Sequence, residues 1–569
     1  MATRLRTPHR IALTVLLGAA AAILSCAGAT APSDFVSPIQ FEDVAKKAGL
    51  NFVLRNGATG GFHQPELMLG GVAALDYNAD GCMDIYFTNG AAMPSLKKTD
   101  AQYSNHLFRN NCNGTFTDVT AQAGVAGDGY SMGVAVGDYD NDGHPDIFVA
   151  GVNRNILYRN RGDGTFEDVT KEAGVEGLEP HYGKLWSDSA AWVDIDNDGW
   201  LDLVVTNYVQ WDPQLEPRCG TPQHPLYCDP SAYHGTPDQI FRNNHDGTFT
   251  DITASSGIGA NIGRGMGVAI ADYDHDGLQD IFVANDTVPN FLFHNLGHGK
   301  FEEVAMLAGV ALNDNGRPVA SMGADFRDYN NDGLPDLVFT DMVNDTYQLF
   351  RNTGKAPAFE DETTSSGLAL ATRGLTGWGA GLYDLDNDGY KDLFTANSHF
   401  PGLERELGTE TALPNSVFRN EGDGRFVDVS NIAGPAFEVP GHYRGVAFAD
   451  FDNDGRVDAV VSNVDGPARL FRNLTPNAGH WLALDLQGTR SNRDGIGTKV
   501  TVTLPSGRKL YNHCTTSVGY ASSSEPLVRF GLGKERVANL IELHWPSGIV
   551  QQLHNVKVDR VLKVREPGR

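Results

Sequence analysis

A nine-residue segment rich in Asp, "DYDNDGHPD" from Asp138 to Asp146, recurs in six further close copies, which makes seven along the chain. Position 1 is always Asp, position 3 is Asp or Asn, position 5 is Asp, position 6 is Gly and position 9 is Asp. Position 7 varies without restriction, as expected where a backbone carbonyl is the ligand. Oxygen ligands at positions 1, 3, 5, 7 and 9 around a Gly are typical of a calcium-binding loop. The spacing therefore predicts up to seven Ca²⁺ sites.

The predicted ligands form seven sets, in which the residue at position 7 binds through its carbonyl oxygen. They are Asp76, Asn78, Asp80, Cys82 and Asp84; Asp138, Asp140, Asp142, His144 and Asp146; Asp194, Asp196, Asp198, Trp200 and Asp202; Asp272, Asp274, Asp276, Leu278 and Asp280; Asp328, Asn330, Asp332, Leu334 and Asp336; Asp384, Asp386, Asp388, Tyr390 and Asp392; and Asp450, Asp452, Asp454, Arg456 and Asp458.

These loops differ from an EF-hand in two ways. Position 12 is apolar, as at Val149, so the bidentate Glu of an EF-hand is missing. The flanking segments have the pattern of strands and not of helices. A metal-free Asp/Gly turn and Mg²⁺ are the alternatives. We favour Ca²⁺ because several carboxylates in one loop repel one another unless a cation offsets their charge.

The segments around the loops predict short strands. A small-residue run such as "SMGVAVGDYD" precedes each loop, and an apolar run such as "DIFVAG" follows it. A second repeated segment then contributes "LYRN", a Gly turn and "TFEDVT". About four strands per unit of roughly 60 residues are typical of propeller blades. The sequence therefore predicts an all-β fold dominated by a seven-bladed β-propeller.

The ends of the repeat array predict how the ring closes. Residues 40–50 match only the second half of a unit, and residues 470–473 match only the first half. Together they make one whole unit, so the N-terminal strand should complete the last blade. We assign the propeller to residues 40–474 and a small β domain to residues 475–569, where three segments alternate with period two.

The N-terminus has the pattern of an export signal. Three arginines precede the apolar run "IALTVLLGAAAAIL", which is short for a membrane span. We assign residues 1–29 to this signal and residues 30–39 to a linker. Two interpretations stay open: lipid modification at Cys26 within "ILSC", or cleavage after Ala29. The protein is therefore expected to be periplasmic, a cell-surface lipoprotein or secreted, with a lipid anchor as its only membrane attachment.

Export favours disulfide bonds between the cysteines. Cys219 and Cys228 flank a Pro-rich insert and are expected to pair; a zinc site with His224 and His234 is the alternative. Cys82 and Cys112 form a second candidate pair. Cys514 is then left as a free thiol.

Charge excludes one class of partner. The whole chain has a formal net charge of −27. Residues 475–569 contain 13 Lys or Arg and 7 Asp or Glu, so residues 30–474 carry about −36. Binding to nucleic acid requires a basic surface, which this acidic body does not offer.

The motifs together identify a family resemblance. "DYDNDGHPDIFVA" and its copies resemble the FG-GAP, or VCBS-type, calcium repeats of integrin α-subunit propellers. "NRDGIGTKVTV", "FGLG" and "IELHWPSG" resemble the ASPIC/UnbV domain. In this order the two resemble the cartilage acidic protein family and its bacterial relatives. The resemblance implies an exported calcium-binding propeller without established catalytic activity; the EGF-like module of animal members has no counterpart in the sequence.

Two functions follow as hypotheses. The first is a calcium-stabilised, non-enzymatic scaffold that binds a protein or glycan through a propeller face. The second is an enzyme whose site lies at the central channel near the insert at residues 207–238. The insert offers His224, Tyr227, Tyr233 and His234 as the candidate side chains for such a site.

Overall fold

The computed structural model describes residues 39–356, 358–404 and 408–568. The predicted export signal, Cys26, Ala29 and nearly all of the 30–39 linker lie outside this part of the chain. Within it, no helix combines the length and the apolar character that a bilayer crossing requires. The fold is all-β, as the sequence predicts.

Seven four-stranded antiparallel sheets, each with one acidic loop, account for most of the described chain. Sheet 1 comprises Val72–Leu75, Asp84–Phe87, His106–Asn110 and Phe116–Asp118; sheet 2 comprises Tyr130–Gly137, Asp146–Val152, Ile156–Asn160 and Phe166–Asp168; sheet 3 comprises Ser187–Val193, Asp202–Asn207, Gln239–Asn243 and Phe249–Asp251; sheet 4 comprises Gly265–Ala271, Asp280–Asn285, Phe291–Gly297 and Lys300–Glu303; sheet 5 comprises Ala324–Arg327, Asp336–Phe339, Gln348–Asn352 and Phe359–Asp361; sheet 6 comprises Gly377–Tyr383, Asp392–Asn397, Ser416–Asn420 and Phe426–Asp428; and sheet 7 comprises Tyr443–Ala449, Asp458–Asn463, Arg469–Asn473 and Phe41–Asp43.

The seven sheets are arranged as a ring. The first strand of each sheet contacts the first strand of the next, and the first strand of sheet 7 contacts that of sheet 1. Phe41–Asp43 pairs with Arg469–Asn473 as the outer strand of sheet 7, with Phe41 opposite Asn473. The pairing that the split repeat predicts for the N-terminal strand is therefore present.

Glycines let the first strands approach closely around the ring axis. A Cβ atom on Gly267 would lie 2.1 Å from the carbonyl oxygen of Met322, and one on Gly323 would lie 2.2 Å from that of Trp378. Both distances are far below van der Waals contact. The small-residue runs before the loops are thus required by the packing of neighbouring sheets.

Shorter elements connect the sheets. Single helical turns follow the fourth strand of several units. Each turn has only four residues, which is too short to give the sequence a helical period. The helices are Thr120–Ala123, Thr170–Ala173, Thr253–Ser256, Ala305–Ala308 and Leu368–Ala371; the 3-10 turns are Gln64–Leu67, Ala101–Tyr103, Pro230–Ala232, Ile258–Ala260, Ser430–Ile432 and Pro435–Glu438; and the strand pairs are Leu178–Glu179 with Gly183–Lys184, Cys219–Thr221 with His224–Leu226, and Thr236–Pro237 with Ile262–Gly263.

The C-terminal domain, residues 475–569, forms two further sheets. In the first, His480–Gln487 lies between Val528–Gly533 and the parallel strand Arg560–Arg565; in the second, the order is Lys509–His513, Lys499–Thr503, Val537–His544 and Val550–Lys557. Its apolar core is continuous with that of the ring, since Leu482 and Ile541 belong to the same buried cluster as Trp192 and Phe241. The ring and this domain form one compact unit.

The segment Cys514–Glu525 of the C-terminal domain, here called the plug, fills the centre of the ring. All of its residues are buried. It contacts the first strand of every sheet. The contacts join Ser523 N to Val72 O, Thr516 Oγ1 to Val136 O, Ala521 N to Ser189 Oγ, Ser517 Oγ to Val268 O, Gly519 N to Ala324 O, the Tyr520 ring to the Trp378 ring, and Glu525 N to Phe448 O. The axis of the ring is therefore not an open channel.

Candidate metal centre

Each acidic loop joins the first and second strands of its sheet, so all seven lie at the same end of the ring. We number the loops 1 to 7 with their sheets. The Asp at position 9 is in every case the first residue of the second strand, as Asp146 is in sheet 2. The strand pairing therefore fixes both ends of each loop.

Loop 2 shows the arrangement within one loop. Asp138 Oδ1 accepts a hydrogen bond from Asp142 N at 3.0 Å, and its Oδ2 accepts one from Gly143 N at 2.7 Å. Gly143 has a φ of +93°, a conformation that favours Gly and turns the chain back over the carboxylates. Carboxylate oxygens of Asp138, Asp140 and Asp146 lie within 4.8 Å of one another. The loop thus gathers oxygen donors around one point.

The other loops repeat this geometry. Carboxylates at positions 1, 3 and 9 of loop 3, and at positions 1, 3 and 5 of loop 4, also approach within 4.8 Å. In all seven loops the backbone amide at position 7 donates to the carboxylate at position 5. The donors are Cys82, His144, Trp200, Leu278, Leu334, Tyr390 and Arg456.

Side chains at position 7 have other partners. Cys82 is bonded to Cys112, Trp200 stacks on His245, and Arg508 lies over the Tyr390 ring at 4.9 Å. These contacts explain why the side chain at this position varies between units. They are consistent with the predicted use of the carbonyl there.

Burial and mutual repulsion make the carboxylates costly to ionise. Burial, followed by the charge of Asp494, raises the pKa of Asp138 to about 8. Burial, followed by the charge of Asp198, raises the pKa of Asp194 to about 7. A bound cation would remove this penalty.

Buried carboxylate oxygens that accept no hydrogen bond from the described residues occur in three loops, at Asp196 Oδ1, Asp272 Oδ1 and Asp452 Oδ1. An arginine from the third strand partly balances position 3, as between Arg159 Nε and Asp140 at 2.7 Å. In loop 2 this one arginine, which also lies 3.9 Å from Asp142, faces four carboxylates. Unpaired hard oxygen donors fit a hard dication such as Ca²⁺.

The Asp at position 9 has a second role that the ligand pattern did not reveal. Asp146 accepts hydrogen bonds from Tyr139 N at position 2 of its loop and from Asn160 N in the third strand. The equivalent bonds recur in the other six units. This carboxylate therefore ties the loop to two strands.

Sequence reasoning also missed an Asn that links neighbouring sheets. Asn160 Nδ2 donates to Pro145 O in its own loop and to Tyr77 O in the loop of sheet 1. Asn110 Nδ2 donates to Phe451 O of sheet 7, which continues the linkage around the ring. The signal was available, because every unit has Asn at this place. The seven are Asn110, Asn160, Asn243, Asn295, Asn352, Asn420 and Asn473.

The C-terminal domain covers the loop end of the ring. Lys499 Nζ lies 2.6 Å from Asp272 Oδ2, and Asp494 Oδ2 accepts a hydrogen bond from Asp138 N at 2.8 Å. Arg529 lies 3.4 Å from Asp450 and also pairs with Glu525. Basic residues of the C-terminal domain thus face the acidic loops.

Both predicted disulfides are present, Cys82–Cys112 and Cys219–Cys228, which leaves no thiolate for the alternative zinc site. Cys514 is a buried free thiol, as expected. Disulfide bonds are typical of exported proteins.

The insert at residues 207–238 lies at the opposite end of the ring, because it follows the second strand of sheet 3 while loop 3 precedes that strand. Tyr227 donates to Glu66 at 2.8 Å and Tyr233 donates to Glu216 at 3.2 Å. His224 and His234 are exposed. The two tyrosines are therefore held by hydrogen bonds to carboxylates, whereas the two histidines lie at the surface.

Comparisons with known proteins agree with this architecture. The family described as FG-GAP-like repeat matches residues 76–149, 138–205, 231–283, 272–339, 328–395 and 407–461, and the family described as ASPIC and UnbV matches residues 488–569.

Among curated proteins, human cartilage acidic protein 1 is 27% identical over 369 residues, 62% of this chain and 52% of that protein. The Xenopus tropicalis protein is 29% identical over 330 residues, 56% of this chain and 47% of its own. The chain spans about half the length of the curated relatives it matches.

Among solved structures, a lectin of Agrocybe aegerita that recognises non-reducing terminal N-acetylglucosamine aligns with a TM-score of 0.39 and 16% identity, over 70% of this chain and 87% of the lectin. The family matches cover more than half of the described chain. The chain therefore belongs to the FG-GAP-like repeat family and carries a C-terminal ASPIC and UnbV domain.

Proposed function

We propose that this protein is an exported, calcium-binding propeller that serves as a binding scaffold and not as an enzyme. The observation that supports calcium most strongly is the repeated oxygen cage, in which buried carboxylates converge and some buried oxygens accept no hydrogen bond from the described residues. Calcium would offset this charge in each loop that it occupies. The proposed location is the periplasm, the cell surface through a lipid anchor, or the medium.

The partner is proposed to bind at the insert end of the ring. The loop end is covered by the C-terminal domain and the axis is filled by the plug. At the insert end, Leu215, which precedes the disulfide-linked hairpin, is 82% exposed and lines a cleft of about 620 Å³ together with Trp211 and Tyr233. An exposed apolar side chain beside such a cleft is typical of an interaction surface. A protein or a glycan is the proposed partner class.

An enzyme at the central channel is the less favoured function. The plug occupies the axis, Tyr227 and Tyr233 are hydrogen-bonded to carboxylates, and His224 and His234 are exposed. No nucleophile with an adjacent base is recognisable in the sequence of the insert. The scaffold function agrees better with this geometry.

The calcium part is tested by stripping the full chain with a chelator, restoring calcium, and measuring bound metal after dialysis by elemental analysis. We expect several equivalents of Ca²⁺ per chain, retained in excess Mg²⁺. Fewer than two equivalents would refute the proposal that the loops are calcium sites.

The binding part is tested on a glycan array in millimolar calcium, with Leu215→Asp compared against Leu370→Asp. Leu370 is a matched control because it is 81% exposed and lies on the helix Leu368–Ala371 of sheet 5. Binding that Leu215→Asp abolishes and Leu370→Asp leaves intact would support recognition at the insert end. Equal loss in both variants would argue against it.

A further inference from the structure

Loop 4 departs from the other six in the residue that faces its carboxylates. Six units have Arg before the sheet-linking Asn, whereas the fourth has His294. In loop 2 the equivalent residue, Arg159, pairs with the position-3 carboxylate of Asp140. At loop 4, an imidazole thus takes the place of a guanidinium.

The imidazole is positioned as a metal ligand would be. His294 Nδ1 lies 3.2 Å from Asp280 Oδ1 and 3.5 Å from Asp274 Oδ2. One ligand atom from each of these residues lies within 4.8 Å of the others. Ligands held about 2.0–2.2 Å from one metal at angles between 90° and 109° are about 3.0–3.5 Å apart. The observed distances lie in that range.

A second observation concerns the carboxylate at position 1. In the other six loops, one oxygen of this Asp accepts the position-5 amide. In loop 4, Asp276 N donates instead to Asp274 Oδ1 at 3.3 Å. Asp272 is only 4% exposed, and its Oδ1 accepts no hydrogen bond from any residue that the structure describes. Asp272 also groups with Asp274 and Asp276 within 4.8 Å. A buried oxygen is therefore free to bind a cation.

The donor types of this loop suit calcium less well than those of its neighbours. Six units present a guanidinium, which cannot bind a metal, at the place where unit 4 presents an imidazole, which can. Ca²⁺ takes oxygen ligands, so a site that has an imidazole nitrogen among its donors suits this ion less well. Imidazole with carboxylates suits zinc and neighbouring first-row metals.

We propose that loop 4 is a transition-metal site, in which His294 Nδ1, Asp274 and Asp280 bind one dication of the Zn²⁺ or Co²⁺ class and Asp272 Oδ1 completes or orients the set. On binding, the proton on His294 Nδ1 passes to solvent and the nitrogen lone pair goes to the metal. The assignment is independent of whether the other loops hold calcium.

Co²⁺ is the probe, because its visible absorption reports nitrogen ligation and low coordination number. The full chain, purified without a histidine tag and stripped of metal, is titrated with Co²⁺ in excess Ca²⁺. We expect one equivalent to bind with visible absorption bands and to be displaced by Zn²⁺. Bound metal is counted in parallel by elemental analysis.

Two variants and one control locate the site. His294→Arg, which restores the residue of the other units, should weaken Co²⁺ binding by more than about tenfold, since even the loss of a group that only orients a ligand costs 10–100-fold. His298→Gln removes an exposed histidine four residues away and should change nothing. Arg159→His should add a second equivalent by giving loop 2 the same donor types.

Retention of the visible bands in His294→Arg would overturn the assignment, as would the absence of any Co²⁺ equivalent in excess Ca²⁺. Loss of the bands in His298→Gln would place the metal elsewhere and would equally overturn it. Calcium uptake by the remaining loops is counted separately in the same samples. Failure of the transition-metal site and failure of the calcium sites are therefore distinguishable.

Discussion

Replacing Asn352 with Ala should test whether the sheet-linking asparagines hold the ring together. Asn352 is 1% exposed. Its Nδ2 donates to Pro335 O at 3.2 Å and to Tyr273 O of the neighbouring sheet at 2.8 Å, and its Oδ1 accepts from Gly354 N at 3.0 Å. Alanine removes all three hydrogen bonds, so that two carbonyl groups and one backbone amide lose their hydrogen-bond partner.

The size of the effect follows from these contacts. Each lost hydrogen bond costs about 1 kcal/mol net, and each polar group left buried and unpaired costs about 1–3 kcal/mol. We expect a loss of about 3–5 kcal/mol in the free energy of unfolding. With an unfolding entropy of about 2 cal/mol/K per residue, or about 1 kcal/mol/K for the whole chain, the melting temperature should fall by about 3–5 °C.

The assay is calorimetric unfolding of the full chain in saturating calcium, with two comparisons. Asn539→Ala, at an exposed position in the C-terminal domain, should leave the melting temperature within about 1 °C. Asn352→Asp keeps the acceptor for Gly354 N but places a carboxylate oxygen against two carbonyl oxygens. Because these oxygens repel one another, this variant should be less stable than Asn352→Ala. A shift in Asn352→Ala no larger than that of Asn539→Ala would refute the linking role.

Further outcomes are expected from the same structure. Chelation of calcium should lower the free energy of unfolding by as much as about 3–10 kcal/mol when up to seven sites have extracellular affinities in millimolar calcium. The measurement is a thermal melt, in which Mg²⁺ should restore the melting temperature poorly. Although burial opposes it, hydrogen bonds from Ser547 and three backbone amides hold the pKa of Glu566 at about 2. A carboxyl group whose pKa is lowered by folding stabilises the folded state at pH values above its unfolded pKa of 4.5. This stabilisation is lost as the pH falls toward 2. Glu566→Gln should therefore destabilise at pH 7 and converge with the unmodified chain in acid melts. Tyr520→Phe removes the hydroxyl that donates to Met68 O in the ring centre and should cost about 1–3 kcal/mol in chemical denaturation. Replacing Cys219 and Cys228 with Ser should expose the insert to limited proteolysis while the main melting transition moves little, because the linked hairpin is exposed.

The ring could be predicted from sequence because its determinants are local and repeated. Asp/Gly loops fix each turn, alternating apolar runs fix the strands, and the half-unit at residues 40–50 has no partner except the half-unit at residues 470–473. The register of Phe41 opposite Asn473 follows from that complementarity. The pairing of Cys82 with Cys112 follows from adjacent loops in one unit.

The plug could not be predicted in the same way. "CTTSVGYASSSE" lacks a strand or helix period, and its small polar residues are typical of an exposed loop. They are buried because the first strands of the sheets present carbonyl groups toward the axis, such as Val268 O, which accepts from Ser517 Oγ. These hydrogen bonds exist only once the ring has formed, so no local pattern encodes them.

The position of the plug changes how the calcium loops should be understood. Val136 O binds Thr516 of the plug, and two residues later Asp138 begins loop 2 and donates its amide to Asp494 of the C-terminal domain. Asp138 and Asp494 are both buried carboxylates that repel each other. If a cation occupies loop 2, as we propose, it offsets this repulsion, so that metal binding and docking of the C-terminal domain stabilise each other by the same free energy. Truncation within the C-terminal domain should then weaken calcium binding at the loops as well as open the ring axis. On this argument the covered loop end serves stability, and recognition is left to the insert end.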